Sequence, residues 1–357
     1  LCLDEYGRQI PAENRFPSSA GGKGFRPIAD EIHAMGLKFG IHIMRGIPRQ
    51  AVHAHLPVLG TDVTAEKIAS PFSISKWNGD MYGVDASKPG AQAYYDSIFR
   101  LYAEWGVDFV KVDDISNTNL YIDNPYSASR EVEMIAKAIQ NCSREIVLSL
   151  SPGPAVIEEA WHLKTYANMW RMTDDFWDKW ELLRNMFFRC ELWQTHVGPG
   201  SWPDCDMLPL GKIGIGFRRP RMTNFTRDEQ LTMMTLWSVF RSPLMVGGDL
   251  PQNDEWTPSL LTNDEVIAVN QQGANPRMLE KTEDFRLWAS DAPDGGLYLA
   301  GFNLSEEEKS FPLPLAELGM ENAAARDLWA HADLGKAAGE TAIPAHGCFL
   351  WKLTTGE

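Results

Sequence analysis

The chain has 357 residues, about twice the common length of a single domain, so one long barrel or two domains are the architectures to consider. Its composition, 44% hydrophobic and 23% charged, is typical of a soluble globular protein, and the net charge of −15 disfavours nucleic acid and anionic membranes as partners. No apolar stretch is long enough for a transmembrane helix, and five scattered cysteines without a CxxC pair indicate neither a disulfide scaffold nor a zinc site.

Helical patterns alternate with short apolar strands through the first two thirds of the chain. The predicted helices cover residues 27–36, 89–105, 130–140, 157–166, 176–195 and 227–241. The predicted strands cover residues 37–44, 108–113, 145–151, 169–173, 202–208 and 243–246. Strands that alternate with helices and are apolar almost throughout predict parallel βα units whose sheet is covered by the helices.

The pattern changes after residue 268. Short strands separated by polar turns are predicted at 286–289, 296–302 and 346–353, with no helical pattern between them. Such a succession is typical of an antiparallel sheet. We therefore predict parallel βα units over residues 1–268 and a small antiparallel β domain over residues 269–357.

Polar residues collect where the predicted strands end, and that edge carries the catalytic groups in parallel α/β folds. They are His42, Arg45, Lys111, Asp113, Asp114, Arg171, Asp174, Asp175, Asp204 and Asp206, with Trp77, Tyr82, Trp170 and Trp202 among them. Cleavage of a glycosidic bond needs two carboxyl groups, and aromatic rings cover the apolar face of a sugar. The pattern predicts a carbohydrate hydrolase, although each single aspartate is explained equally well as the N-cap of the next helix.

Lys111 is harder to explain as a structural residue. It lies inside an apolar strand at the same parity as Asp113, so both side chains point to one face. Since an isolated buried charge is costly, that face must line a polar cavity.

Segments from the first residues to the last resemble glycoside hydrolase family 27, the α-galactosidases and α-N-acetylgalactosaminidases, also called melibiases. They include residues 33–41, residues 105–113 with the motif Lys111-x-Asp113, residues 170–175 around Arg171, and residues 202–208, 261–271 and 346–347. The resemblance implies a (β/α)8 TIM-type barrel followed by a small antiparallel β-sandwich. We expect neither a cofactor nor a metal, and a small carbohydrate or glycoconjugate as the partner.

The resemblance also implies roles for individual residues. Asp113 would be the nucleophile and Asp175, four residues after Arg171, the acid/base of a retaining hydrolase, with the two carboxyl groups about 5–5.5 Å apart. The residues expected to bind the sugar are Lys111, Arg171, Trp202, Asp206, Met207, His42 and Ser151.

The chain departs from the family pattern at three places. His42 stands where typical members have a tyrosine, and the small residues that begin at Ser151 replace a bulkier segment, which leaves room at C2 of the sugar. The first two barrel strands of the family have no counterpart here. Because a βα unit takes about 30 residues, we expect the chain to be a fragment of a protein that is longer by about 60 residues or more at its N-terminus.

These observations predict removal of terminal α-linked galactose, with α-N-acetylgalactosaminidase or β-L-arabinopyranosidase activity as the alternatives on the same scaffold. A non-catalytic sugar-binding protein is a more distant alternative. A metal-dependent hydrolase, suggested by His53 and His55, lacks the further histidines it would need at later strand ends. Cellular location and self-association into a homo-oligomer stay open.

Overall fold

The computed structural model describes residues 1–75, 77–115 and 128–356. The chain divides into two compact units, Leu1–Arg171 and Met172–Glu357. The predicted domain boundary at residues 268 and 269 lies inside the second unit and stays a prediction.

The first unit combines helices with a parallel and an antiparallel sheet. Its helices are α1 (Arg26–Ala34), α2 (Arg49–His53), α3 (Ala65–Ile68), α4 (Ala91–Trp105), α5 (Ser129–Asn141) and α6 (Ala160–Tyr166), with 3-10 turns at Pro17–Ser19 and Ile157–Glu159. Its strands are β1 (Gly40–Met44), β2 (Ile47–Pro48), β3 (Ala69–Ile74), β4 (Met81–Val84), β5 (Phe109–Asp113), β6 (Val147–Leu150) and β7 (Met169–Arg171).

Four of these strands form the predicted parallel arrangement, in the order β1-β5-β6-β7. The register pairs Gly40 with Phe109 and Phe109 with Val147, so the carboxyl ends of neighbouring strands lie side by side. α4 precedes β5 in the chain and α5 follows it, and the two helices pack against each other. α4 ends at Gly106, as the sequence predicts. Gly106 adopts φ 82°, a left-handed conformation that glycine tolerates and that the residue just past a helix often needs.

The antiparallel sheet of the first unit was not predicted. It has the order β2-β4-β3 and lies in the chain between β1 and α4. The sequence signal is weak because β3 contains Pro71, which cannot donate a ladder hydrogen bond, and β2 has two residues.

The second unit begins with helices and short strands and ends in longer strands. Its helices are α7 (Trp180–Trp193), α8 (Arg227–Phe240), α9 (Trp256–Leu261) and α10 (Asp264–Gln272). Its strands are β8 (Trp202–Asp204), β9 (Met207–Leu208), β10 (Lys212–Ile213), β11 (Arg221–Met222), β12 (Met245–Val246), β13 (Ala274–Lys281), β14 (Phe285–Asp291), β15 (Leu297–Asn303), β16 (Lys309–Pro312), β17 (Ala324–Asp327), β18 (Ala332–Lys336), β19 (Glu340–Ile343) and β20 (Cys348–Thr354).

Two helices show how local chemistry sets their ends. α8 starts at a capping box in which Thr226 and Glu229 satisfy each other's backbone N–H groups. The sequence predicts a helix from residue 176, but α7 starts at Trp180. The preceding segment is held outside the helix because Asp206 accepts a hydrogen bond from the Phe176 N–H, at 2.8 Å.

The C-terminal strands form a β-sandwich. A six-stranded antiparallel sheet has the order β13-β14-β15-β20-β17-β18, and β16 pairs with β19 in a second sheet. Phe285 of the first sheet stacks on Phe311 of the second with ring centroids 4.4 Å apart. The three predicted strands correspond to β14, β15 and β20, whose inward residues are fully apolar. Among the described residues, no helix is both long enough and apolar enough to span a bilayer.

Candidate active site

Strand β5 presents a polar face and an apolar face. Val110 and Val112 are fully buried, whereas Lys111 and Asp113 alternate with them and are partly accessible, as the spacing predicts. The register places His42 of β1 beside Lys111, and Lys111 beside Ser149 of β6. The parallel sheet therefore gathers polar side chains on the face that carries Asp113.

The Asp113 carboxylate lies at the end of β5 and accepts two hydrogen bonds. Oδ2 lies 3.3 Å from Nε2 of His42, and Oδ1 lies 2.6 Å from the backbone nitrogen of Asp114. An ionised carboxylate only accepts hydrogen bonds, so the Nε2 of His42 is the donor.

The pKa of Asp113 lies below its ordinary value. Burial works in the opposite direction, but the hydrogen bonds from His42 and Asp114 and the positive charges of His42 and Arg171 outweigh it. Asp113 is thus held ionised at neutral pH, which is the state a nucleophile requires.

A buried charge network lies behind Asp113. Nη2 of Arg45 lies 3.1 Å from Oδ2 of Asp114, and Nη1 lies 3.0 Å from Oε1 of Glu131. The hydroxyl of Tyr95 donates to Oε2 of Glu131 at 2.5 Å, and burial raises the pKa of Glu131. Asp114 has φ 59°, a region that non-glycine residues rarely adopt. Arg45 holds this conformation, which directs the Asp114 N–H at Asp113.

Glu131 is a part of this network that sequence reasoning missed. It lies on α5 rather than at a strand end, so neither its spacing nor its neighbours in the sequence indicate a link to Arg45. Arg45 itself follows β1 directly, in the position where polar groups are expected.

The first unit also holds the predicted Ser151 and Arg171. Ser151 is buried. Its N–H donates to the carbonyl of Val112 at 2.9 Å, and its carbonyl accepts from the Ile115 N–H at 3.1 Å. Arg171 ends β7 and is buried as well, with its carbonyl accepting from the Ala155 N–H at 3.0 Å. Both residues therefore lie at carboxyl ends in the sheet that carries Asp113.

The second unit holds the other predicted site residues. Asp174 and Asp175 are exposed, and Asp175 precedes the anchored Phe176. Asp206 is buried at φ 74°, and its N–H donates to Oδ1 of Asp204 at 2.8 Å. Since one oxygen of Asp206 accepts from the Phe176 N–H, Asp206 fixes the segment that carries Asp175.

Trp202 and Met207 lie on β8 and β9, two short strands that follow each other in the chain. The guanidinium carbon of Arg241 lies 4.9 Å from the Trp202 ring centroid, a cation–π distance. Met207 pairs with Met245 of β12. Both side chains are partly accessible.

The two histidines that suggest a metal site have other partners. Nδ1 of His55 lies 3.2 Å from Glu66, and Nε2 of His53 lies 3.4 Å from the hydroxyl of Tyr82. Within residues 1–75, 77–115 and 128–356, no group of three or more histidine, cysteine or acidic residues is arranged to hold a metal ion.

Large parts of the chain are similar to known α-galactosidases. Residues 78–272 match the family model described as "Alpha galactosidase A", and residues 282–353 match the "Alpha galactosidase C-terminal beta sandwich domain". An α-galactosidase of Cyamopsis tetragonoloba is 26% identical over 99% of this chain and 74% of its own length.

Two solved structures are much more similar to this chain. A β-L-arabinopyranosidase of family 27 from Geobacillus stearothermophilus is 57% identical with a TM-score of 0.95, over 99% of this chain and 82% of that one. A Bacillus halodurans protein provisionally assigned as an α-N-acetylgalactosaminidase is 50% identical with a TM-score of 0.89, over 100% of this chain and 84% of that one. These matches confirm the predicted fold class, a (β/α)8 barrel followed by a β-sandwich.

Proposed function

Because the chain belongs to glycoside hydrolase family 27, we propose that it removes a terminal sugar by double displacement, with net retention of configuration at the anomeric carbon. The observation that carries this proposal is the ionised carboxylate of Asp113, held by His42 and the Asp114 N–H at the end of a barrel strand.

In the proposed reaction, Asp113 attacks the anomeric carbon and forms a glycosyl-enzyme. Asp175 first protonates the leaving oxygen and then removes a proton from the water that releases the sugar. Lys111 and Arg171 bind sugar hydroxyl groups in this proposal, and Trp202, Met207 and Asp206 are further candidate sugar-binding residues. The separation of about 5–5.5 Å between the two carboxyl groups stays a prediction.

The preferred sugar in this proposal is β-L-arabinopyranose. This sugar has the ring configuration of α-D-galactopyranose and lacks the hydroxymethyl group at C5, so one set of contacts serves both. The 57% identity to an arabinopyranosidase favours the smaller sugar over galactose, the substrate named for relatives that are 26% identical. The 2-acetamido sugar is the third candidate, supported by the 50% identical structure and the small segment at Ser151.

Three p-nitrophenyl glycosides test the proposal: the β-L-arabinopyranoside, the α-D-galactoside and the 2-acetamido-α-D-galactoside. We expect kcat/KM to be highest for the arabinopyranoside and about tenfold or more lower for the galactoside, since one extra substituent in a fitted pocket costs that much. A faster galactoside would assign the enzyme as an α-galactosidase. Absence of hydrolysis of all three would contradict the proposed function and favour a sugar-binding protein.

The acidic limb of the pH profile tests the contact between His42 and Asp113. Since the folded pKa of Asp113 is lowered, kcat/KM should hold as the pH falls until Asp113 protonates. The variant His42→Phe removes a donor and a positive charge, so the pKa of Asp113 rises and the limb moves to higher pH. Arg171 on β7 stays in place in this variant and supplies the remaining positive charge near Asp113.

The matched control for this experiment is His42→Gln, which can still donate a hydrogen bond to Asp113. We expect a smaller displacement of the limb in this variant than in His42→Phe. Identical acidic limbs in the wild type and His42→Phe would show that His42 does not tune the nucleophile.

A further inference from the structure

An exposed aromatic side chain stands on the hairpin that joins β10 and β11. Phe217 is 74% exposed, and its ring lies nearly parallel to that of Trp177, with centroids 6.2 Å apart and an angle of 14° between the planes. The guanidinium carbon of Arg218 lies 4.6 Å from the Trp177 centroid and 5.5 Å from that of Phe217. Ile215 on the same hairpin is also exposed, so the hairpin presents apolar surface to solvent beside the two stacked rings.

The hairpin is tied to the segment that carries Trp177. Arg221 forms two hydrogen bonds with the buried Asp178, at 2.5 and 2.7 Å, and Asp178 also accepts from the Asn224 N–H at 2.5 Å. Burial alone would raise the pKa of Asp178, but these partners lower it, so the carboxylate is charged and the pair is held. These hydrogen bonds fix the hairpin that carries Phe217 to the segment that carries Trp177.

A cavity of about 320 Å³ lies against these two rings. Its residues are Trp177, Lys212, Ile213, Gly214, Ile215, Phe217, Gly247, Gly248 and Asp249. Trp177, Ile215 and Phe217 supply apolar surface, and Lys212 and Asp249 both contact Gln252 and supply charge. Aromatic rings for stacking beside charged and hydrogen-bonding groups suit a sugar, whose ring faces are apolar and whose hydroxyl groups need polar partners.

The position of this surface in the chain indicates which part of a substrate it would contact. Trp177 is two residues from Asp175, so their Cα atoms are at most about 7 Å apart. In the proposed reaction Asp175 protonates the leaving oxygen, and the leaving group therefore lies on the side of the acid.

We propose that Trp177 and Phe217 bind the leaving group, and that this group is itself a pyranose. The ring face of the second sugar stacks on the aromatic side chains, and its hydroxyl groups reach Lys212 and Asp249. This inference rests on the proposed function, because it assigns the leaving-group side to Asp175. It identifies disaccharides or longer oligosaccharides as the substrate class.

The test compares two substrates that share the sugar preferred in the nitrophenyl assay. One is a disaccharide with a hexose leaving group, and the other is the glycosyl fluoride, whose leaving group has no ring to stack. In the variant Phe217→Ala, we expect kcat/KM to fall at least about tenfold more on the disaccharide than on the fluoride, since the variant loses the burial of a sugar face against an aromatic ring. The conservative variant Phe217→Tyr should restore most of the loss.

The matched control is Phe188→Ala, which removes another exposed phenylalanine, 59% accessible on α7, and should change neither reaction. Equal losses on both substrates in Phe217→Ala, or no loss on the disaccharide, would overturn the inference. Failure of the wild type to hydrolyse either substrate would instead overturn the proposed function.

Discussion

Replacing Asp113 by alanine is expected to lower kcat by about 10⁵-fold or more, the range seen when a catalytic nucleophile is removed. Without the carboxylate no glycosyl-enzyme forms, and water must attack the anomeric carbon without covalent assistance. The measurement is kcat on the preferred nitrophenyl glycoside, together with the melting temperature. The loss should appear without a large fall in melting temperature, because Asp113 lies at the accessible end of β5.

Azide distinguishes loss of the nucleophile from loss of the fold. In Asp113→Ala, azide fits the vacated space and attacks the anomeric carbon once, so the product is a glycosyl azide of inverted configuration. Recovery of this product by azide would identify Asp113 as the nucleophile. Near-native turnover of Asp113→Ala without azide would end that assignment.

The neighbouring Asp114 provides the control. Its carboxylate is buried against Arg45, and breaking such a pair costs about 3–5 kcal/mol of the free energy of unfolding. We expect Asp114→Asn to lower the melting temperature while the folded enzyme keeps most of its turnover. The two variants thus separate a residue that reacts from one that supports the backbone.

Replacing Asp175 by alanine is expected to lower kcat/KM by about 10²- to 10⁴-fold on a disaccharide, because general acid catalysis supplies a factor of this size. The loss should shrink for the glycosyl fluoride, whose leaving group needs little protonation. The measurement is the ratio of kcat/KM values for the two substrates. A similar loss on both would contradict the role of Asp175 as the general acid.

The configuration of the azide product separates Asp175 from Asp113. In Asp175→Ala the glycosyl-enzyme still forms, so azide attacks it in a second displacement and the product keeps the configuration of the substrate. The matched control is Asp174→Asn, a change at the other exposed aspartate of the pair, which should retain near-native activity. If the Asp174 variant alone lost activity, the two aspartates would exchange roles.

Much of the fold and of the candidate site can be predicted from local sequence features. Lys111 and Asp113 share a face because side chains alternate along a strand, and the valines between them are apolar. Gly106 ends α4 because glycine readily adopts the positive φ that the residue after a helix often needs. The β-sandwich was predicted in part, since β14, β15 and β20 have strongly apolar inward positions, whereas β16 of the second sheet and β18 of the first are short and contain exposed residues.

Other features had no usable sequence signal. The sheet β2-β4-β3 contains a proline and a two-residue strand, and the pairing of β2 with β4 joins segments that are far apart in the chain. The start of α7 depends on Asp206, which lies 30 residues beyond Phe176. Such contacts form when the chain has folded, so a local pattern cannot indicate them.

The amino-acid sequence was sufficient to predict the candidate catalytic residues and their order at the strand ends, and to recognise the family to which the chain belongs. The environment of those residues was decided only by the tertiary structure. Arg45 and Glu131 are separated by 86 residues, yet their ion pair holds Asp114 and, through it, the hydrogen bond to Asp113. Hydrogen bonds and charges act through space over a few ångströms, so the pKa of Asp113 and the exposed pair of Trp177 and Phe217 depend on which distant segments folding brings together.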